Sequence, residues 1–289
     1  MPISTLENSK LRIQINSHGA EMQSFFDIKN NLECLWQADS NYWGRHAPVL
    51  FPIVGRLAND TFIHQNQSYP MTQHGFARDS EFKLINRTDL SAEFSLVNNI
   101  NTLEQYPFNF ELIVGYRIDS NRLITTYTIC NPDNNVLPAS IGAHPAFNWP
   151  LLPNVAKSDH HINFEHDEIA DIRRLENGLL LDETIKNPIN KNKLNLDNAL
   201  FEHDALIFDQ LKSREIKYSA SNRVSLTLRF EDFPHLGIWT KPDAPFICLE
   251  PWQGHSSPIN FNGEFSEKPG ILLIPAQSEI KKSFEIILN

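Results

Sequence analysis

Apolar and polar residues alternate with a period of two near both ends of the chain. Leu11, Ile13 and Ile15 are separated by Arg12 and Gln14. Leu226, Leu228 and Phe230 interleave with Ser225, Thr227 and Arg229, and Phe284, Ile286 and Leu288 repeat the pattern, with Ile287 intruding on the polar face. Successive side chains of a strand point to opposite faces, so these stretches predict half-buried strands. Segments 92–97, 110–118 and 122–130 are rich in β-branched and aromatic residues and are read as strands as well. Asp119-Ser120-Asn121 lies between the last two and predicts a hairpin turn; 131–135 predicts another. No segment holds a 3.6-residue period long enough for an extended amphipathic helix, and 194–201 predicts at most a short helical turn. With no linker, low-complexity tract or internal repeat to divide it, the chain is expected to form one all-β antiparallel domain over residues 1–289.

Composition narrows the partners. A chain that is 41% hydrophobic and 21% charged can bury a sizeable core, and 19 phenylalanines suit the space between two packed sheets. The net charge of -10 opposes binding to nucleic acid or to an anionic membrane. Cys34, Cys130 and Cys248 are far apart and odd in number, which predicts neither a disulfide framework nor a structural zinc site. The residues from Met1 to Lys10 lack an apolar signal core, and the apolar run from Ala47 to Val54 is too short to span a membrane. A cytoplasmic location follows as the expectation.

Four segments set reactive side chains beside Gly, Pro and aromatic residues: Phe51-Pro-Ile-Val-Gly-Arg56, Gln73-His-Gly-Phe-Ala-Arg78, Gly142-Ala-His-Pro-Ala-Phe-Asn148 and Ile247-Cys-Leu-Glu-Pro-Trp-Gln-Gly254. His144 precedes Pro145, which favours extended backbone at the histidine and removes a ladder donor after it. Taken alone, it reads equally as a satisfied core histidine. Glu250 closes the apolar run Phe246-Ile-Cys-Leu249 and precedes Pro251. A carboxylate there is costly unless solvated, paired or used. Trp252 offers an aromatic face that suits sugar C–H surfaces, or a core position. His160, His161 and His166 match no metal-ligand spacing and are read as a solvated loop. No P-loop, GxGxxG or GxSxG is present, so nucleotide-dependent and serine-hydrolase chemistry lack support.

Together these segments resemble the aldose 1-epimerase (galactose mutarotase-like) family, in the order Gly-Arg, His-Gly, His-Pro-x-Phe-Asn and Glu-Pro along most of the chain. The resemblance implies a large β-sandwich of the galactose mutarotase-like supersandwich type. It implies His144 as general acid, Glu250 as general base and His74 as a ligand of sugar hydroxyls, with Asp204 the best match to a further sugar-binding aspartate. Arg56 and Arg78 are expected to contact substrate. Two positions depart from the better-known mutarotases: Asp60 stands where they carry a second arginine, and Ala146 where an aromatic usually follows His-Pro. Both departures resemble the LacX-type branch, and Gln73-His-Gly-Phe-Ala-Arg78 also resembles the hexose-6-phosphate 1-epimerases.

Anomer exchange needs a base at the C1 hydroxyl and an acid at the ring oxygen, so an ionised carboxylate and a protonated imidazole are expected together in one site, on opposite sides of the sugar ring. No cofactor or metal is expected, and the expected partner is a small-molecule sugar, here a hexose. The competing readings are a hexose-6-phosphate 1-epimerase and a non-catalytic carbohydrate-binding β domain.

Overall fold

The computed structural model describes residues 2–220 and 224–289. Its framework is two large sheets in which every strand pair is antiparallel. A nine-stranded sheet runs in the order Lys193–Asn195, His160–Phe164, Glu215–Ala220, Ser225–Arg229, Ser278–Leu288, Arg122–Asn131, Glu111–Asp119, Ser91–Val97 and Lys83–Arg87. The other large sheet has eight strands. Along its main path lie Leu179–Ile185, Ile172–Glu176, Leu206–Phe208, His235–Trp239, Phe246–Gln253, Ile141–Ala143 and Val49–Leu50, and Ala146–Asn148 also pairs with Phe246–Gln253. A smaller four-stranded sheet, from Ile3–Glu7 to Leu32–Glu33, carries the first period-2 segment.

Alternation decides what each sheet buries. Leu112, Val114 and Tyr116 of one strand join Leu123, Tyr127 and Ile129 of the next in the core, while Ile113, Gly115 and Arg117 face away. From the eight-stranded sheet, Leu206, Phe208, Leu236, Ile238, Ile247 and Leu249 enter the same core cluster. The two large sheets therefore pack face to face as a sandwich. Leu11, Ile13 and Ile15 of the four-stranded sheet belong to this cluster too.

The strands expected at 11–15, 92–97, 110–118, 122–130, 225–230 and 284–288 are all present within a residue or two, the last as part of the longer Ser278–Leu288. The hairpin at Asp119–Arg122 turns through Ser120 at a φ of 58°. Two expectations need correction. Segment 194–201 begins as a strand, Lys193–Asn195, and only Asn198–Phe201 is a helical turn, with Asp197 accepting a hydrogen bond from the Ala199 N–H. His160 and His161 are not on a solvated loop: they open the strand His160–Phe164. His160 is buried, and its Nε2 accepts from the Leu151 N–H at 3.0 Å.

One α-helix is present among the described residues, Ile100–Gln105, held by a reciprocal capping box between Asn99 and Thr102. No helix among them is long and apolar enough to cross a membrane.

One core cluster gathers residues from Leu6 to Ile286. On that continuity we propose that the chain folds as one unit. Calorimetry should then show a single transition whose calorimetric and van't Hoff enthalpies agree; two separable transitions would divide the chain.

Candidate active site

The eight-stranded sheet shares its core-facing side with the sandwich and turns its other side to a cavity of about 220 Å³. Strand Phe246–Gln253 shows how. Ile247 and Leu249 point into the core, so Cys248, Glu250 and Trp252 point the other way. Glu250 was expected at a strand end; instead the strand continues through Pro251 to Gln253, and the carboxylate sits mid-strand with 1% exposure. The continuation is possible because the neighbouring strand is interrupted opposite it. Gly142 pairs with Trp252 and Ala146 with Cys248. Counting inward from both pairs sets His144 directly across from Glu250. Neither Pro145 nor Pro251 has an N–H to give to a ladder at this point.

Side chains fill the gap that the ladder leaves. His144 Nε2 lies 3.2 Å from Glu250 Oε2, close enough to exchange a proton, although the angles fall short of a hydrogen bond. Neither Glu250 Oε2 nor His144 Nδ1 has any other partner. Burial pushes the Glu250 carboxyl well above the usual range; the nearby indole N–H of Trp252 lowers it somewhat without making a hydrogen bond of good geometry, and Asp204 adds to the rise. Burial likewise drives His144 down to about 3, helped by Arg78 and Arg45. Burial thus works against the charged pair expected from sequence, raising the carboxyl and lowering the imidazole.

Aromatic rings enclose the pair. Trp43 stacks on His144 with ring centres 4.9 Å apart, and Trp239 meets the imidazole edge-on at 5.8 Å. Trp43 comes from a loop that is fixed by its own backbone: its N–H donates to Asp39 O and its carbonyl accepts from Trp36 Nε1, both at 2.9 Å. Trp252 lies across Gly142 and Gly237, whose missing side chains make room for the indole.

His74 stands edge-on to His144 at 5.5 Å. Its Nδ1 accepts from the Gly55 N–H at 3.1 Å, so the ring's proton is on Nε2. Gly55 adopts a φ of 75°, and a side chain there would run into Ser256. Burial, then His144, Arg78 and Arg45, hold His74 well below its ordinary value.

Of the other expected residues, Arg78 and Asp204 line the cavity. Arg78 donates to Gln73 O at 2.6 Å and keeps its Nε unpartnered, while burial lowers its pKa to about 10. Asp204 has a φ of 67° and accepts from the Ala205 N–H at 2.8 Å. Arg56 is not brought into the cavity. Its guanidinium, 43% exposed, forks onto Asp60 with two 2.7 Å hydrogen bonds and also reaches Asn177 O. Asp60, the residue that departs from the better-known mutarotases, is what holds it there. Sequence reasoning missed Trp43, Trp239 and Ser256, all of which line the cavity. A larger groove of about 470 Å³ runs over the solvent face of the nine-stranded sheet, but it contains no buried acid–base pair.

Comparison with known proteins gives a consistent result. A family model described as aldose 1-epimerase matches residues 2–272. Protein LacX (chromosomal) of Lactococcus lactis subsp. lactis is 38% identical, over 98% of this chain and 99% of its own. The structure of a galactose mutarotase related enzyme from Lactobacillus acidophilus superposes with a TM-score of 0.94 at 31% identity, covering 100% of this chain and 97% of its own. A galactose mutarotase-like protein from Lactobacillus casei ATCC 334 gives a TM-score of 0.90 at 30% identity, with 100% of both chains covered.

The buried imidazoles make stability sensitive to acid. His46, His74, His144, His160, His161, His235 and His255 all lie below the ordinary value, each chiefly through burial. A depressed histidine contributes stability above its unfolded value and loses it as pH falls, here from about 6.5 towards 3 for His144 and His255. Glu250, being raised, works in the opposite direction. The histidines outnumber it, so the urea midpoint should fall between pH 7 and pH 5, the unfolding free energy dropping by up to about 1.4 kcal/mol per pH unit for each fully buried ring. A midpoint that stays level or rises across that interval would contradict the buried, neutral imidazoles.

Proposed function

The chain belongs to the aldose 1-epimerase family, and from that premise we propose that it interconverts the α and β anomers of an unphosphorylated hexose by acid–base ring opening at His144 and Glu250. The observation that carries this reading is the cross-strand pair itself: a buried imidazole and a buried carboxyl 3.2 Å apart, beside a cavity of monosaccharide scale.

The reaction acts on two oxygens bonded to the same carbon, the C1 hydroxyl and the ring oxygen. Two adjacent groups suit that geometry better than groups on opposite sides of the ring. Glu250 takes the hydroxyl proton and His144 delivers one to the ring oxygen. The C1–O bond opens, the carbonyl turns about C1–C2, and the ring recloses with the roles reversed. For this the shared proton must sit on His144, whereas burial favours it on Glu250. Both arrangements carry zero net charge, so moving the proton across the 3.2 Å contact transfers no net charge into or out of the cavity. Hydroxyls of an entering sugar stabilise the charged arrangement by hydrogen bonding to it.

The remaining residues take binding roles in this reading. His74 offers its Nε2–H to a sugar oxygen, Arg78 its unpartnered Nε–H, and Asp204 accepts from a hydroxyl at the rim. The indole faces of Trp43, Trp239 and Trp252 suit the C–H surfaces of the ring.

An unphosphorylated substrate is favoured by the charge balance. Arg45 lies 2.8 Å and Arg78 3.7 Å from Asp79, and Arg56 is held by Asp60. Asp204 and Glu250 line the cavity itself. None of these arginines is free of a nearby carboxylate, as a phosphate clamp would require. A purely sugar-binding role is less well supported, because a buried carboxyl without a firm partner costs stability that binding alone does not need. The free thiols Cys34, Cys130 and Cys248 support a reducing, cytoplasmic setting.

Polarimetry on freshly dissolved α-glucose and α-galactose tests the central claim. Glu250→Gln and His144→Gln should each lower kcat by about 10²–10⁴-fold while the protein stays folded. The wild-type rate should follow a bell in pH, since adding or removing one proton disables the pair. Near wild-type mutarotation by either folded variant would remove that residue from the mechanism.

A second comparison separates the arginines. Arg78→Ala should raise KM for free aldoses by about 10–100-fold, the equivalent of a charged hydrogen bond. Arg56→Ala should change it by less than about fivefold, as expected for an exposed ion pair outside the cavity. If glucose 6-phosphate is the preferred substrate and both substitutions abolish that preference, the phosphorylated reading is the correct one.

A further inference from the structure

We propose that His144, Cys248 and Glu250 form a site for a thiophilic divalent cation of the zinc type, and that such a cation is a reversible inhibitor. One ligand atom from each side chain lies within 4.8 Å of the other two, and all three residues are buried. In sequence only the Cys-x-Glu half of the cluster is visible, because the histidine is remote in the chain. The sheet creates the cluster. Cys248 and Glu250 are two residues apart on one strand and share a face, and the strand register sets His144 opposite Glu250.

Two further observations point to a ligand here. Glu250 Oε2 is buried without a hydrogen-bond partner. Both His144 and Glu250 line the cavity, so an ion can arrive from that side and keep its fourth position open to it. One nitrogen, one sulfur and one oxygen donor make a set that suits tetrahedral zinc or cadmium. Magnesium and calcium need more oxygens than the cluster offers.

Charge also balances. A thiolate and a carboxylate neutralise a divalent ion, with the imidazole neutral. On binding, Cys248 gives up its thiol proton and the His144–Glu250 pair gives up the proton it shares. Both protons go to solvent, and no electrons move. The positively charged Arg78 lines the same cavity as His144 and Glu250 and opposes the ion, which makes this a weak, exchangeable site rather than a structural one. An ion held here occupies the proposed acid and base together, so it competes with the sugar.

The inhibition rests on the function proposed above; the binding does not, and the test reads the two separately. Cadmium is titrated into the full-length protein while the ultraviolet thiolate-to-metal absorption is followed. Zinc is titrated into the polarimetric assay at several aldose concentrations. Wild type should show the absorption at one equivalent, and zinc inhibition should be competitive with aldose and reversed by EDTA. Cys248→Ala and Cys248→Ser should keep basal activity, lose the absorption, and need about 10–100-fold more zinc for the same inhibition. Glu250→Gln should weaken the cadmium titration even though it is inactive. If the absorption persists in Cys248→Ser, the sulfur is Cys34 or Cys130 and the proposed site is wrong. Equal zinc sensitivity of wild type and both Cys248 variants would also overturn it. Should the protein prove inactive on every aldose, the cadmium titration still decides whether the site exists.

Discussion

The arrangement depends on one break in a β-ladder. Between the pairs Gly142–Trp252 and Ala146–Cys248 the two strands keep register but cannot exchange a full set of hydrogen bonds, because Pro145 and Pro251 have no N–H. The Leu249 N–H still reaches Pro145 O at 3.2 Å, which holds the strands together across the break. A proline in a central strand is usually a defect. Here two of them, on facing strands, stand across from Leu249 and Ala143, one to each side of the His144–Glu250 position. The space goes to side chains, and the two that meet there are His144 and Glu250.

The same strand also makes the site rigid. Its odd positions, Ile247 and Leu249, are locked in the sandwich core, so the even positions cannot slide without unpacking it. Trp252 is held flat over Gly142 and Gly237, and Trp43 is pinned through its backbone to Asp39 and Trp36. A group carried on such an element keeps its geometry better than one carried on a loop. Two other cavity-lining residues come from less regular backbone: His74 and Asp204 both have positive φ. Glu250, Trp239 and Trp252 thus belong to strands of the sheet, and His74 and Asp204 to its connections.

How much of this was legible in the sequence follows from the range of each signal. Period-2 alternation is local, and the strands it predicted are present. His-Pro and Glu-Pro are local too, and they mark the break in the ladder. Glu250 was nevertheless misplaced to a strand end, because a proline normally ends a central strand and nothing local reveals that the partner strand is broken opposite it. The placement of Arg56 was not legible for a similar reason: its motif says nothing of the ion pair it makes with Asp60 four residues on. Trp43 and Trp239 left no signal, since a tryptophan in a loop and one at a strand end look like ordinary core residues until the fold brings them to His144. Cys248 could have been seen, because a residue two before Glu250 on a strand must share its face.

The site also shows why its residues need a functional explanation. Burying Glu250 and His144 without firm hydrogen bonds costs stability at each group, and replacing both with apolar side chains of similar shape would remove that cost. The fold did not require them, because Val49, Leu50 and Ala146 fill neighbouring positions of the same sheet with plain hydrocarbon. Nor does the surrounding charge rescue them. Asp204 pushes Glu250 further from ionisation, while Arg78 and Arg45 push His144 further from protonation. Each of these three charges moves its group away from the charged form, with only the Trp252 indole pulling Glu250 the other way. Such a pair is poised to pass a proton to one oxygen while taking one from another, with no change in the net charge of the cavity. In the reaction proposed above, that property would serve a neutral sugar whose ring opens and closes at one carbon, and it would account for keeping two polar groups where hydrocarbon would be more stable.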